Sequence, residues 1–308
     1  MAHLTRREFI YAGGLVTLGV AAACSSGGPA NDGTYGGVLS GRPLGFTVYV
    51  PPFEILGDRE ERVFFAIIDP AAQTPVAGAT GRVWFAREKN AEAFGPFAFR
   101  QIGGGVEQRG SYATTLSLPG DGVWQMLVEA TIGGAAKVGE TAIQVGRKND
   151  MPKPGDEAIA VATPTVRKPR GVDPICTRQP PCSMHEISLD EALKSGRPTV
   201  VTIGTPAFCQ SRFCGPVVDN IEAVSSEFPD VHFVHIELLI DDEAETVQAY
   251  QGAPPQGFRG PVLAPAAQAW KVVEEPVTYY IDADGVIVER HLNAIDATDV
   301  RQGVDQIT

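Results

Sequence analysis

The sequence predicts two domains of different class, an antiparallel β domain in residues 38–146 and an α/β domain in residues 185–308. In the first range, short apolar runs alternate with turns rich in Gly and Pro, which is typical of a domain made of many short strands. In the second range, strand-length apolar runs alternate with segments whose apolar residues recur at helical spacing. Residues 147–184 between them begin with a stretch rich in Pro, Lys, Arg and Thr that shows little periodicity, which predicts an interdomain linker.

The N-terminal domain is predicted to be an immunoglobulin-like β-sandwich, because its strands are short and closely spaced. The strands are expected at 46–50, 62–68, 82–85, 112–118 and 124–130. The stretch 110–124, with its turn at Pro119-Gly120-Asp121-Gly122, resembles the strand–turn–strand of YtkA-like extracytoplasmic sandwich domains. Residues 38–146 contain no Cys and no His, so we expect a spacer or a protein-interaction module.

The C-terminal domain opens with a predicted helix that has Ser188 as its N-cap and Glu191 as the capping-box partner. A buried-type strand at 199–203 leads into a loop with two cysteines, and a helix follows at 215–228. The later elements are expected at 231–236 (strand), 266–270 (short helix), 277–281 and 286–290 (two strands) and 296–307 (helix). From the first strand onward, the predicted order is β-α-β-α-β-β-α.

Cys209 and Cys214 lie between the first strand of this domain and the helix that follows it. Backbone N–H groups at a helix N-terminus stabilise a thiolate and lower the pKa of the thiol. Such a thiolate can attack a disulfide, and a second cysteine nearby can resolve the mixed disulfide. The position and the residue types therefore predict a redox-active pair.

The domain resembles the thioredoxin family over residues 187–307 in its element order and in three segments. Residues 202–208 match, without a gap, the strand and loop before the first active-site cysteine, with Phe208 in place of the usual Trp. Glu275-Pro276 stands where thioredoxins carry a cis-proline. Residues 280–287 are similar to the following hairpin in membrane-tethered thiol-disulfide proteins of the cytochrome-maturation type.

This resemblance implies a thiol-disulfide oxidoreductase that acts on protein disulfides. Its residues would be Cys209 as the nucleophile, Cys214 as the resolving thiol and Pro276 as the substrate-facing cis-proline. The expected partners are the thiols of exported proteins or a membrane reductant. We expect no cofactor and no bound metal.

In one respect the pair departs from the family, because four residues separate Cys209 and Cys214 where thioredoxins have two. Residues five apart on a regular helix lie roughly 140° apart around its axis, too far round to be bridged. Cys209 must therefore lie before the first regular turn, or that turn must open. A second alignment places Cys214-Gly215-Pro216-Val217 on the thioredoxin motif, with Cys214 at the nucleophile position.

Three other functions stay open. The first is a non-catalytic lipoprotein whose thioredoxin-like scaffold, held by a structural disulfide, binds another protein. The second is a thiol peroxidase, because bacterioferritin-comigratory-type peroxiredoxins share the four-residue spacing, but Thr202 and Pro206 do not match their peroxide pocket. The third is a copper-handling protein similar to Sco-type chaperones. However, His232, His235 and His291 do not fall at the position where that family carries its His. We interpret these three histidines as surface or internally hydrogen-bonded residues.

The N-terminus carries three signals of export and lipid attachment, in the expected order. Thr5-Arg6-Arg7-Glu8-Phe9-Ile10 resembles a twin-arginine export signal, and the weakly apolar run after it is too short for a comfortable membrane span. Ala21-Ala22-Ala23-Cys24 looks like a lipobox, in which the Cys24 thiol accepts a diacylglycerol. We predict a signal peptide at 1–23, a flexible tether at 24–37 and a protein anchored on the extracytoplasmic face of the cell membrane. An uncleaved membrane helix is the alternative.

The remaining two cysteines, Cys176 and Cys182, are predicted to form a structural disulfide that pins the end of the linker. A metal site with His185 is an alternative, although the spacing matches no established zinc pattern. A thiol relay to Cys209 and Cys214 is another.

The charge of the chain argues against polyanionic partners. The formal net charge is -12, and removing residues 1–23 takes away Arg6, Arg7 and Glu8, a net charge of +1, which leaves -13. A surface that acidic repels nucleic acid phosphates and anionic lipid headgroups. We therefore expect no nucleic-acid role, and membrane contact only through the lipid on Cys24.

Overall fold

The computed structural model describes residues 33–106, 109–253, 255–257 and 262–308. The predicted signal peptide and the lipidation site Cys24 lie outside these residues. Within them, no helix has both the length and the apolar character needed to cross a membrane.

The N-terminal domain is built almost entirely of antiparallel strands, which confirms the all-β prediction. A short helix, α1 (Tyr35–Leu39), precedes β1 (Thr47–Tyr49), β2 (Glu60–Asp69), β3 (Thr74–Pro75), β4 (Thr80–Ala86), β5 (Phe94–Gln101), β6 (Ser111–Ser117), β7 (Gly122–Ile132) and β8 (Ala135–Val145). Each of the five predicted strands overlaps one of these. The alternation of apolar and polar residues thus located the strands correctly.

The strands form one continuous path rather than two separate sheets. Their order is β1-β2-β6-β5-β4-β7-β8, with β3 also paired to β2. β5 belongs to both halves of the path, because residues 94–99 pair with β4 and the last two residues of β5 pair with β6. Leu44, just before β1, forms a parallel bridge with Val138 in β8, so the two ends of the path meet. The sheet is barrel-like, and the predicted immunoglobulin-like sandwich is not confirmed.

Strand β2 uses both of its faces for packing. Val63, Phe65 and Ile67 point into the core of the barrel, as expected for alternate residues of a strand. Phe64 points the other way and packs with Ala113 in a cluster that also contains residues of the C-terminal domain. The barrel therefore presents an apolar patch that the second domain covers.

The C-terminal domain contains a four-stranded sheet between two layers of helices. Its strands are β9 (Thr199–Gly204), β10 (His232–Glu237), β11 (Val277–Ile281) and β12 (Ile287–Leu292), and its helices are α2 (Leu189–Lys194), α3 (Cys214–Ser225), α4 (Ala244–Tyr250), α5 (Pro265–Ala269) and α6 (Ala297–Asp305). The strand order is β10-β9-β11-β12, with β9 parallel to β10 and β11 antiparallel to both β9 and β12. This order and direction are those of thioredoxin-like folds, and the succession of elements is the predicted one except for α4, which the sequence did not predict.

Helices cover both faces of the sheet. On one face, Val217 of α3 and Val300 of α6 share a cluster with Val200 of β9. On the other face, Leu189 of α2 and Ala266 of α5 pack with alternate residues of the same strand. Every residue of β9 is buried, as expected of a strand that helices cover on both faces.

The predicted capping box at the start of α2 is wrong. Ser188 is the N-cap residue, but its side chain makes no capping hydrogen bond, because the hydroxyl accepts one from the Thr163 N–H at 2.8 Å instead. A capping box occurs at α6, where the Asp296 carboxylate accepts from the Asp299 N–H and the Asp299 carboxylate accepts from the Asp296 N–H, each at 3.1 Å. The serine motif was misleading because a tertiary partner competes for its hydroxyl.

The predicted linker, 147–184, forms no helix or strand but packs along the C-terminal domain. The Gly155 and Ala158 N–H groups donate to the carbonyls of Ile287 and Gly285, each at 2.8 Å. Met151 is buried in the core of that domain. The segment is irregular, as its composition predicts, and by these contacts it forms part of the C-terminal domain.

Charged side chains join the barrel to the second domain. Arg62 of β2 donates to both carboxylate oxygens of Asp299 at 3.2 and 2.9 Å. Arg100 of β5 donates to both carboxylate oxygens of Asp296 at 2.6 and 3.1 Å. The N-terminus of α6 is thereby held against the barrel.

Candidate functional site

Cys209 and Cys214 form a disulfide, with their Cα atoms 6.0 Å apart. Cys214 is the first residue of α3, and Cys209 lies in the preceding turn, where its N–H donates to the Thr205 carbonyl at 2.9 Å. Of the two geometries that the spacing allows, the structure adopts the one in which Cys209 precedes the regular helix. A left-handed residue, Arg212 with φ 59°, lets the extra residues turn back toward α3.

The two sulfur atoms have different surroundings. The Cys214 N–H, at the N-terminus of α3, lies 3.4 Å from the Cys209 Sγ, and the Ser211 hydroxyl lies 3.2 Å from the same sulfur. Both can donate to a Cys209 thiolate once the disulfide is reduced. Cys209 is 7% exposed, whereas Cys214 is fully buried. Cys209 is therefore the more accessible sulfur and the better stabilised as a thiolate.

Pro276 follows a cis peptide bond from Glu275, as the sequence predicts. A methyl group on Gly204, at the end of β9, would lie 3.2 Å from the Cys214 Sγ and 3.5 Å from the Pro276 Cβ. Gly204 is thus packed against both residues, and a larger side chain there would push them apart. The structure brings Cys209, Cys214 and Pro276 together at the predicted place.

Glu275 is a site residue that the sequence analysis missed. Its Oε2 lies 3.5 Å from the Cys214 Sγ and accepts a hydrogen bond from the Thr205 N–H at 2.9 Å. Its Oε1 accepts from the Tyr250 hydroxyl. Burial raises the pKa of Glu275 to about 7, although the hydrogen bonds from Tyr250 and Thr205 oppose the shift. The only signal in the sequence was an acidic residue immediately before the predicted cis-proline.

The barrel contributes side chains to the loop that carries the disulfide. Arg109 donates to the Ser211 carbonyl at 3.0 Å, and its guanidinium lies 4.9 Å from the centre of the Phe213 ring. The Phe64 and Phe213 rings meet edge to face, with their centres 5.7 Å apart. Phe213 immediately precedes Cys214, so the disulfide loop of the second domain is anchored on the first domain.

A second cluster brings together Cys176, Cys182, His185 and His235, all of them buried. The two sulfur atoms are 3.8 Å apart and are not bonded, so the predicted structural disulfide is not formed in this structure. The His235 Nδ1 lies 3.7 Å from the Cys176 Sγ, 3.4 Å from the Cys182 Sγ and 3.2 Å from the His185 Nε2. The two imidazole rings lie beside the two sulfur atoms, and the four donor atoms point toward one another.

The sequence pattern predicts a surface or internally hydrogen-bonded position for His235 and does not predict its place in this cluster. Its separation from the cysteines along the chain is more than fifty residues, far outside the local spacings by which zinc sites are recognised. His185, in contrast, is close to Cys182 in the sequence, and the sequence therefore suggests it as a metal ligand.

The ionisable groups of the second cluster shift one another's pKa values. A hydrogen bond from Cys182, together with His185 and His235, lowers the pKa of the Cys176 thiol. The same hydrogen bond and burial raise the pKa of Cys182, because the pair shares a proton. Burial lowers the pKa of His185, whereas the contacts with Cys176 and Glu237 outweigh burial and raise the pKa of His235. One thiolate beside imidazole nitrogens is a set of ligands for a soft or borderline metal ion.

The two cysteine clusters are linked by hydrogen bonds. The His235 Nε2 lies 3.3 Å from the Gly204 carbonyl, and Gly204 packs on Cys214. The Thr177 hydroxyl accepts from the Ala207 N–H of the disulfide loop at 3.1 Å. Through these contacts the second cluster helps to hold the disulfide loop in place.

Comparisons with known proteins show limited similarity. No family model matches this chain, and no curated protein matches it. A thiol:disulfide interchange protein of the thioredoxin family from Chlorobium tepidum TLS is 16% identical with a TM-score of 0.30, over 52% of this chain and 99% of that one. The dsbF protein of MTB, in its mixed oxidized and reduced forms, is 20% identical with a TM-score of 0.26, over 37% of this chain and 82% of that one. The Lin-41 filamin domain is 9% identical with a TM-score of 0.20, over 35% of this chain and 99% of that domain. With scores this low, the fold is assigned from the strand order alone.

Proposed function

We propose that this protein is a thiol-disulfide oxidoreductase that acts on protein disulfides. The observation that carries the proposal is the Cys209–Cys214 disulfide at the N-terminus of α3, with the cis-proline Pro276 beside it. A helix N-terminus stabilises a thiolate, and a vicinal thiol allows a mixed disulfide to be released.

In the reducing direction, the reaction begins at Cys209. Its thiolate attacks one sulfur of a substrate disulfide, forms a mixed disulfide and releases the other substrate sulfur as a thiolate. Cys214 then attacks the Cys209 Sγ, which forms the internal disulfide and releases the second substrate thiol. Two electrons pass from the dithiol to the substrate, and the oxidising direction is the same sequence in reverse.

Glu275 is the base for the second step. Its carboxylate lies 3.5 Å from the Cys214 Sγ, close enough to accept the thiol proton after a small adjustment. Burial raises its pKa to about 7, so the group can both accept and return a proton near neutral pH. The Tyr250 hydroxyl and the Thr205 N–H hold the carboxylate in place.

We place the protein on the extracytoplasmic face of the cell membrane, tethered by a lipid on Cys24. The twin-arginine-like segment and the lipobox-like segment of the N-terminus support this placement. The partners would be the thiols of exported proteins or a membrane reductant, because an exported dithiol needs one of these to turn over.

The test is the reduction potential of the Cys209–Cys214 pair in the full chain. The protein is equilibrated in graded thiol buffers, free thiols are trapped by alkylation, and each cysteine is read by mass spectrometry. A potential of roughly -120 to -270 mV supports a working redox protein, and one below about -300 mV overturns the proposal.

A trapping experiment assigns the roles of the two thiols. Cys214→Ser should accumulate a mixed disulfide with a disulfide-containing peptide, because Cys209 can attack it and nothing resolves the product. Cys209→Ser is the matched control and should accumulate none. Trapping by Cys209→Ser alone would reverse the roles and favour the second alignment, in which Cys214 is the nucleophile.

A second candidate is a non-catalytic protein that uses the thioredoxin-like domain as a binding scaffold. Burial of both sulfurs favours it, since only 7% of Cys209 is exposed and the barrel packs on the loop through Phe213. A potential below about -300 mV would select this candidate.

A further inference from the structure

Four of the six distances among the buried donor atoms of the second cluster match a tetrahedral metal site, and all of these atoms lie within 4.8 Å of one another. With Zn–S bonds of about 2.3 Å and Zn–N bonds of about 2.0–2.1 Å, a tetrahedron separates two sulfurs by about 3.8 Å, a sulfur and a nitrogen by about 3.6 Å, and two nitrogens by about 3.3 Å. The Cys176 and Cys182 sulfurs are 3.8 Å apart. The His235 Nδ1 lies 3.7 and 3.4 Å from these sulfurs and 3.2 Å from the His185 Nε2. Each of these measured edges is within about 0.2 Å of the ideal value.

The surroundings orient the four side chains for a metal. The His235 Nε2 lies 3.3 Å from the Gly204 carbonyl, so Nε2–H donates there and the lone pair of Nδ1 faces the other three donors. A backbone carbonyl in this position is the usual outer partner of a metal-bound imidazole. The Cys182 N–H lies 3.5 Å from the Cys176 Sγ, where it supports a thiolate. Both features fit a metal-bound cluster, and neither is needed for a disulfide.

We propose that Cys176, Cys182, His185 and His235 bind a Zn²⁺ ion. Two thiolates and two imidazoles in a closed tetrahedral arrangement are the ligands of structural zinc sites. The charges also favour zinc, because two thiolates neutralise a divalent cation and the buried site then carries no net charge. A Cu⁺ ion in the same place would leave one uncompensated negative charge, which is costly to bury.

The ion has a structural task that follows from its position. It joins the segment containing Cys176, Cys182 and His185 to strand β10, which contains His235. The neighbouring residue Thr177 accepts a hydrogen bond from Ala207 in the disulfide loop and donates to Glu237 at the end of β10. The zinc site therefore holds in place the segment and the strand that contact the Cys209–Cys214 loop. All four positions are filled by protein atoms, so the site has no open position for a substrate.

The first test is the zinc content of the full chain, purified with a mild reductant and washed with a weak chelator. Elemental analysis should find one zinc ion per chain. The proposal would be overturned if Cys176 and Cys182 form a disulfide in the purified protein and the chain binds no zinc after that disulfide is reduced. Binding of Cu⁺ with no uptake of Zn²⁺ would also overturn it.

Variants locate the ion. Cys176→Ser and His235→Asn should reduce the zinc content to background, whereas the Cys209→Ser/Cys214→Ser double variant should keep one ion per chain. His232→Asn is the matched control, because His232 lies on the same strand but contacts Ser195 at 3.0 Å instead of the cluster. Loss of zinc from the double variant would place the ion at the redox pair and contradict the proposal.

Cobalt substitution gives a readout that does not depend on any variant folding. The wild-type chain loaded with Co²⁺ should show the intense visible bands of a tetrahedral ion and sulfur-to-metal charge transfer. A weak octahedral spectrum without charge transfer would exclude a site made of two thiolates and two imidazoles. Cys209 and Cys214 are kept as their disulfide during loading, so that the other group of possible metal ligands, Cys209, Cys214 and Glu275, supplies no thiolate and the result is independent of the oxidoreductase proposal.

Discussion

In the proposed reaction Glu275 is the proton acceptor at the disulfide site, so its removal should be visible in the rate at which Cys214 resolves a mixed disulfide. We expect Glu275→Gln to slow the attack of Cys214 on a mixed disulfide about 10²-fold, because an amide cannot take the thiol proton. In the wild type the rate should rise with pH through the Glu275 pKa of about 7, since only the carboxylate is a base. In the variant the rate should rise only at higher pH, around a pKa of about 8.5, which is the ordinary value for a thiol. Stopped-flow measurement from a preformed Cys209 mixed disulfide checks both.

Glu274→Gln is the control for this prediction. Glu274 is the neighbouring carboxylate, but it accepts from the Glu54 N–H and from the Asn149 side chain, each at 3.3 Å, and is not at the sulfurs. Its variant should keep the wild-type rate and pH profile. An unchanged profile in Glu275→Gln would contradict the role of Glu275 as the base.

The residues that the sequence predicted and those that it missed differ in one physical respect. Cys209, Cys214 and Pro276 each stand at a fixed place in the order of elements, so the pattern alone locates them. Glu275 and His235 act through contacts that depend on how strands pair. β10 lies parallel to β9, with His235 opposite Thr202, and this register brings the imidazole under Gly204. Because β10 is buried on both faces from Val234 to Glu237, its sequence pattern does not show which neighbours a polar residue will meet.

The loop between β9 and α3 depends on the barrel through Phe213. We expect Phe213→Ala to lower the free energy of unfolding by about 2 kcal/mol, less than the roughly 3–5 kcal/mol typical of a fully buried Phe, because the ring is half-buried. The reduced Cys209 thiol should also be alkylated faster, since the loop loses its contacts with Phe64 and Arg109. Denaturant unfolding and timed alkylation measure the two effects.

Phe208→Ala is the matched control in the same loop. Phe208 is also half-buried, but it is not part of the cluster between the domains. Its removal should leave the contact between loop and barrel intact. Equal acceleration of Cys209 alkylation in both variants would show that Phe213 has no special part in holding the loop.

Elements with an apolar stripe were predictable, and those without one were not. Helix α3 was located to within three residues because Val217, Val218, Ile221 and Val224 recur at helical spacing and are all buried. Helix α4 was missed because Thr246 is the only buried residue in it, so no stripe exists in its sequence. The segment 147–184 buries isolated residues such as Met151 rather than a periodic face, and its packing on the C-terminal domain left no pattern.

The association of the two domains depends on buried charges as well as on apolar contacts. The Arg62 and Asp299 side chains are 5% and 4% exposed, and Arg100 also pairs with Asp299. We expect Asp299→Asn to lower the free energy of unfolding by about 3 kcal/mol, because the buried guanidinium of Arg62 loses its counter-charge. Denaturant unfolding of the full chain measures the loss.

The surface pair of Glu227 and Arg301 is the control for the buried one. Its side chains are 42% and 46% exposed, so Glu227→Gln should leave the free energy of unfolding nearly unchanged. Similar losses for the two variants would mean that the ion pair between the domains contributes no more than an ordinary surface pair. The charge pattern of the sequence does not reveal this interface, since the partners lie more than two hundred residues apart.

The pH dependence of stability combines groups from both domains. Burial raises the pKa of Glu61 in the barrel and of Glu275 in the α/β domain to about 7, from an ordinary value of 4.5. A carboxyl with a raised pKa binds its proton more tightly in the folded state, so its contribution to stability is complete below pH 4.5 and is lost as the pH rises through about 7. We therefore expect the free energy of unfolding to fall over this range, and the Glu61→Gln/Glu275→Gln double variant to flatten the decline.

Asp299 acts with the opposite sign and limits the stable range on the acid side. Burial opposes its ionisation, but Arg62, His291 and Arg100 outweigh burial and lower its pKa, so its contribution is lost as the pH falls below the ordinary value of 3.8.

The control for the decline above pH 4.5 is Glu227→Gln, which should keep that decline, because the hydrogen bond from Arg301 lowers the pKa of Glu227 and this group stays ionised there. Denaturant unfolding at a series of pH values checks these expectations together. A decline that persists unchanged in the double variant would show that groups other than Glu61 and Glu275 set the stability between pH 4.5 and about 7.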